Sequence, residues 1–266
     1  MTRTLSTDVL TLDYAPEFGA RVTALVDRRT GRDWLVGGAM RGEVSDRAVY
    51  LGEEARGWDE CFPTVAPCTH PAWGGMRDHG ALWGRPWQDD GRGAAWFETE
   101  GYRFARTLVP EGAAVHCRYE LANTGAAPML WMWSQHCLLD ARPGERLVLE
   151  GVGAFDAADV PRAVARDGTV LKTYAPVHGQ VSVGLTGPEG GIRFEWDAEE
   201  TGFLGLWLDF GGWPETDPVH QLALEPTTAP ADHLAAAGDA AALLRPGETQ
   251  GWTVTLRLEA PGRDHQ

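Results

Sequence analysis

Lysine is almost missing from this chain. Of its 23 basic residues only Lys172 is a lysine, which leaves almost no candidate for Schiff-base or lysine-nucleophile chemistry. Cysteine is scarce too. Cys61, Cys68, Cys117 and Cys137 show no CxxC spacing and sit mostly in apolar, strand-like runs, where a free thiol packs as a small hydrophobe. We read them as reduced and structural. A zinc site built from Cys61, Cys68, His70 and His79 matches no common ligand spacing, and no metal is expected. Positive charge is outweighed by carboxylates to a net charge of −15, so the field repels phosphate backbones and anionic lipid. Nucleic acid and membrane surfaces are not expected partners. No apolar run reaches bilayer-spanning length. Met1 to Leu12 lacks the basic region, apolar stretch and cleavage site of a signal peptide, so a cytoplasmic location is expected.

What remains is the composition of a globular protein. The 266 residues are 43% hydrophobic and 23% charged, enough to build one domain over residues 1–266. Apolar residues recur mainly at period two. Val115, Cys117, Tyr119 and Leu121 alternate with His116, Arg118 and Glu120, as Trp252, Val254, Leu256 and Leu258 alternate with Thr253, Thr255 and Arg257. Each run reads as a half-buried strand. Arg28 to Gly31, Asn123 to Gly125 and Pro188 to Gly191 carry the glycine or asparagine that tight turns need. The one helix-like stretch, Asp232 to Leu244, is alanine-rich but interrupted by Gly238, so a short helix or a loop is expected there. The chain shows no repeat of solenoid or propeller period. The fold class expected from these patterns is all-β with very little helix.

Three segments could carry chemistry. Asp78 to Trp87 places His79, Arg85, Trp83 and Trp87 in a glycine-loosened stretch, and indole faces stack on the C–H faces of sugars while arginine grips hydroxyls. The other reading of that segment is a turn whose aromatics fill a core. Leu130 to Leu139 is an almost continuous apolar strand with one histidine, His136, which by itself suits a satisfied core residue as well as a catalyst. Val219 to Pro226 ends an apolar strand on Glu225, a carboxylate that burial would make costly unless it is paired or used.

Taken in order, these segments resemble the galactose mutarotase (aldose 1-epimerase) superfamily over most of the chain. His79-Gly80 with Trp83 and Trp87 is similar to its first histidine motif, His136 after the Asn123 turn to its second histidine, and Glu225 with Pro230 and Asp232 to its glutamate segment. Gly57 to Thr64 and Leu244 to Thr249 are similar to further family segments. The resemblance implies the supersandwich fold of that family, a large antiparallel sandwich. It also implies an isomerase that interconverts α and β anomers of an aldose or aldose phosphate, with His136 as general acid, Glu225 as general base and His79 beside the ring oxygen.

For substrate contacts the candidates are Arg77, Arg85, Asp59, Glu60, Trp58, Trp207 and Asp209. Two family features lack a match: the substrate arginine well upstream of the first histidine, and an aspartate, which has no counterpart between Val152 and Glu200. The reaction implied needs no cofactor, since it moves only protons. The partner implied is a small sugar, and the assembly a monomer or homodimer. Two other readings stand beside it: a non-catalytic sugar-binding or regulatory domain on the same scaffold, and a glycosidase or lyase pairing Glu225 with Asp59 or Glu60.

Overall fold

The computed structural model describes residues 1–37, 50, 54–216 and 218–262. The glycine- and tryptophan-rich stretch from Leu51 to Trp87 reads in the sequence as irregular, and its residues 51–53 lie outside these.

One antiparallel sheet of 16 strands, 14 of them along a single path, makes most of the described structure, and a single long strand turns it into two layers. Val170–Gly187 pairs through residues 170–176 with Phe203–Phe210 and through residues 180–187 with Gly190–Asp197. One layer therefore runs Arg3–Ser6, Leu10–Ala15, Arg21–Asp27, Trp58–Cys61, Ser134–Leu139, His220–Thr227, Phe203–Phe210 and the first part of Val170–Gly187. The other runs from its second part through Gly190–Asp197, Thr249–Glu259, Ala114–Asn123, Tyr102–Glu111 and Ala94–Glu98. The expected all-β antiparallel sandwich is what the chain forms.

Alternation decides what lies between the layers. Leu204, Leu206, Leu208, Leu222, Leu224 and Cys137 of the first layer share one core with Cys117, Leu121, Val254 and Leu256 of the second. The two strands read most clearly from the sequence lie side by side, with Val115 opposite Leu256 and Tyr119 opposite Trp252. Turns occur at Arg28–Gly31 and Pro188–Glu189, and Asn123 ties its own bend by donating from Nδ2 to the carbonyls of Ala127 and Leu244.

Two expectations change in detail. The stretch from Asp232 to Leu244 forms one helical turn, Leu234–Ala237, then a 3-10 turn, Gly238–Ala240, and then the strand Ala242–Leu244. The run from Leu130 to Leu139 is two strands, Met129–Trp131 pairing with Ala242–Leu244 and Ser134–Leu139 in the large sheet. A run apolar on both faces hides such a break, because both halves are buried.

The first layer also has an outer face, covered by loops. Two small apolar clusters form there, one with Phe18, Tyr50, Trp83 and Leu138, the other with Cys61, Val65, Met132, Ala231 and Leu234. This face also carries buried polar side chains, Asp59, His136 and Glu225 among them.

Candidate active site

Strand register builds the outer-face cluster. Asp59 lies opposite His136; the pairs Ser134 with Thr227 and Leu138 with Ala223 bracket His136 and Glu225; Glu225 lies opposite Gly205, and Gly205 opposite Tyr174. Adjacent strands in a sheet sit about 4.8 Å apart, so one rung carries Asp59, His136, Glu225 and Tyr174 past each other. Gly205 leaves the rung open, since a Cβ there would stand 3.1 Å from the Tyr174 ring and 3.3 Å from Glu225 Oε2.

His79 reaches the same place from a loop. Its φ of 56° and that of Gly80, 70°, are left-handed, a conformation that costs a residue with a Cβ about 1–2 kcal/mol. The turn is held by the His79 amide donating to the Val65 carbonyl at 2.6 Å and the Ala81 amide to that of Phe62 at 2.6 Å. Only glycine fits at Gly80, where a Cβ would come within 2.1 Å of the Phe62 oxygen. So held, the His79 ring stacks on Tyr50 at 3.7 Å and meets the His136 ring edge-on at 4.6 Å.

The three residues singled out in the sequence are thus brought together. His136 Nε2 is 3.8 Å from Glu225 Oε1. His79 and His136 are each 6% exposed and Glu225 0%, and solvent reaches the cluster at its rim, where the Lys172 side chain is 19% and the Asp232 side chain 45% exposed.

The electrostatics are specific. Glu225 receives Lys172 Nζ at 2.7 Å on Oε1 and 2.8 Å on Oε2, and the Ser134 hydroxyl at 3.0 Å on Oε2. Asp59 is gripped by Arg21, whose Nη2 is 2.7 Å away, and accepts the Tyr50 hydroxyl at 3.0 Å. Asp78 is 2.8 Å from His79 Nδ1. Burial raises the Asp78 carboxyl, but the His79 hydrogen bond and charge and the Tyr50 amide outweigh it and hold the group below its ordinary value. Burial, together with His79, Lys172 and Arg21, pushes His136 well below 6.5. In the folded chain His136 is therefore a neutral imidazole at neutral pH.

That shift carries a stability consequence. The unfolded chain protonates His136 near pH 6.5 and the folded chain does so only at lower pH, so the contribution is whole above 6.5 and falls away as pH drops below it. Wild type should lose up to about 1.4 kcal/mol per pH unit more than His136→Asn between pH 6.5 and 5. Urea unfolding of both across that range is the check, and parallel pH dependences would contradict a buried neutral imidazole.

The expected substrate contacts divide. Trp207 lies on the outer face, opposite Lys172 and Ala223, and is half-buried. Asp59 is on that face but is bonded to Arg21 and Tyr50. Trp58 and Glu60 are a correction: one residue to either side of Asp59, they point into the sandwich, 0% and 1% exposed, with the Trp58 indole donating to Glu60. A Glu225–Glu60 glycosidase pair is thereby removed, the two carboxylates lying on opposite faces. Asp209 is a second correction, 0% exposed and accepting the amides of Gly211, Gly212 and Trp213. Arg77 and Arg85 line a different cleft of 810 Å³ with Trp73, Phe97 and Tyr102. Arg77 donates there to the Gly80 and Trp83 carbonyls, bonds that stitch the turn presenting His79.

Sequence reasoning missed Arg21, Tyr50, Ser134, Tyr174 and above all Lys172. Lys172 had a signal: in a chain that otherwise uses arginine, one lysine marks a place where a compact ammonium fits and a planar guanidinium does not. The remaining four had none. Among the described residues no group of three or more His, Cys, Asp or Glu side chains could hold a metal, and the four cysteines are free. No helix among them is long and apolar enough to cross a membrane.

Solved structures match this architecture from end to end. A galactose mutarotase-like protein from Lactobacillus casei superposes with a TM-score of 0.69 at 15% identity, covering 97% of this chain and 100% of that one. A galactose mutarotase related enzyme from Lactobacillus acidophilus gives 0.71 at 11% identity, covering 98% of each. The chain has the galactose mutarotase-like fold. A further mutarotase-like protein, from Clostridium acetobutylicum, gives 0.70 at 12% identity over 97% of this chain and 94% of that one. No protein-family model matches the chain, and no curated protein does. At such identities the mutarotase-like likeness is one of fold, and chemistry has to be argued from the side chains.

Proposed function

We propose that this chain is an isomerase of the aldose 1-epimerase type, acting on a small aldose. The observation that carries the reading is the His136–Glu225 pair, 3.8 Å apart on one rung, with His79 against it and a partly open rim. Opening a hemiacetal requires a base for the proton of the C1 hydroxyl and a donor for the ring oxygen. Glu225 takes the proton from the hydroxyl, the O–H pair becomes the second C1–O bond, and the C1 to ring-oxygen bond breaks. His136 hydrogen-bonds the ring oxygen through its N–H as negative charge develops there, a task suited to a neutral imidazole, and as that proton crosses to the oxygen the one held by Glu225 replaces it on the ring. After rotation about C1–C2 the ring closes on the other carbonyl face and the proton returns by the same route.

His79 supports the pair. Its Nδ1 is engaged by Asp78 while its buried Nε2 has no partner among the described residues, so a sugar oxygen can satisfy it. Trp207 supplies an indole face at the rim.

The test is anomer exchange. The purified protein should accelerate the loss of optical rotation of fresh α-glucose or α-galactose, or of their 6-phosphates, and give exchange between anomer signals in proton NMR. No acceleration with any of these sugars would sink the reading and favour a sugar-binding domain.

A further inference from the structure

The sole lysine stands where a catalytic carboxylate would otherwise be stranded. Glu225 is 0% exposed, and a buried carboxylate stays ionised only if opposite charge and hydrogen bonds replace its water. Lys172 Nζ spans both oxygens at 2.7 and 2.8 Å, and the Ser134 hydroxyl takes Oε2 at 3.0 Å. Oε1 is the oxygen nearer His136, 3.8 Å from Nε2. With Oε2 doubly held, the carboxylate cannot rotate without breaking a bond, and Oε1 is the atom presented to a sugar.

The surroundings favour this one pairing. Asp232 lies 3.9 Å from the ammonium and could compete for it, but its Oδ1 accepts the Tyr174 hydroxyl at 2.7 Å. The Tyr174 ring lies 5.4 Å from Nζ, within cation–π range. The groups around the pair include Lys172 and Tyr174 on the long strand, Ser134 and His136 on a strand beside that of Glu225, Cys61 and Asp59 on the strand beyond it, and Asp232 on the loop after Glu225. Lys172 is the cation bonded to Glu225; Arg21 is bonded to Asp59.

We propose that Lys172 is a positioning residue for Glu225, fixing Oε1 toward the reacting sugar. This rests on the epimerase reading. Lys172→Met should lower kcat about 100-fold with little change in KM, since the carboxylate is then free to turn away from the reacting geometry. Ethylammonium in the buffer should restore part of the rate to Lys172→Ala. Unchanged kcat in Lys172→Met would overturn the proposal, as would a loss that falls on KM as much as on kcat, or a Lys172→Ala rate that ethylammonium does not raise.

A second readout stands apart from activity. With one lysine in the chain, 15N-lysine labelling gives a single Nζ signal. Its ammonium protons should be protected from solvent exchange in the wild type and lose that protection in Glu225→Gln. A signal indifferent to Glu225→Gln overturns the pairing whatever the enzyme does. A responsive signal in a protein with no anomer exchange would leave the pairing standing and locate the failure in the epimerase reading.

Discussion

Arg106→Leu is expected to destabilise the folded chain by about 3–5 kcal/mol, the loss typical of breaking a buried ion pair from one side. Arg106 and Glu60 are both sealed between the layers, their charged atoms 2.8 Å apart. Glu60 also accepts the Trp58 indole at 3.0 Å, the Tyr119 hydroxyl at 3.1 Å and the Trp133 indole at 2.8 Å. Arg106 in turn donates to the Ala20 carbonyl and lies 5.1 Å from the Trp58 ring centroid. Burial works against its charge, and the Glu60 carboxylate outweighs that. Leucine would fill much of the space but leave Glu60 with three neutral donors and no cation. The double variant Arg106→Leu with Glu60→Met removes both charges and should recover part of the loss, because a well-packed apolar pair is often as stable as a buried ionic one. Guanidinium unfolding of the two variants decides it, and a single variant within 1 kcal/mol of wild type would contradict the account.

Glu60 also shows where the sequence stops being informative. The strands were readable because alternation is a local signal: Val115 to Leu121 needs no partner to reveal which side is apolar. Which layer face carries a polar residue is not local. Trp58, Asp59, Glu60 and Cys61 are all buried, so the strand has no alternation to read, and its parity is fixed only by the pairing of Asp59 with His136. Asp59 and Glu60 were therefore indistinguishable as substrate contacts, and one of them is the anchor of the core.

The candidate site was legible to the degree that motif order is. His79, His136 and Glu225 come from a resemblance that preserves order along the chain, and the register brings them together. Lys172 was passed over because it was weighed as a nucleophile, a role its bonds to Glu225 oppose. Asp209 and Arg77 were weighed for their charge, whereas both spend their hydrogen bonds on the backbone of nearby turns, a use that depends on loop geometry and leaves no periodic trace. Arg21 and Tyr50 have no motif around them, and only the fold carries them to Asp59.

The largest catalytic effect is expected at Glu225. Glu225→Gln keeps the shape and the Ser134 bond but replaces the proton acceptor by an amide, and the loss of a positioned base typically lowers a rate about 100- to 10,000-fold. Lys172 is left without its carboxylate, but its side chain is 19% exposed and has Asp232 at 3.9 Å, so the variant should fold. His136→Asn should produce a loss of the same order, since the ring oxygen then lacks its donor. If the two act on one bond-breaking event, the double variant should be little slower than the slower single one, because either loss already disables the step. Sugar binding measured by titration calorimetry should survive in both single variants, which separates catalysis from recognition. Exchange at the wild-type rate in Glu225→Gln would remove that carboxylate from the mechanism, and the rung of Asp59, His136 and Tyr174 would then have to be read as a binding surface.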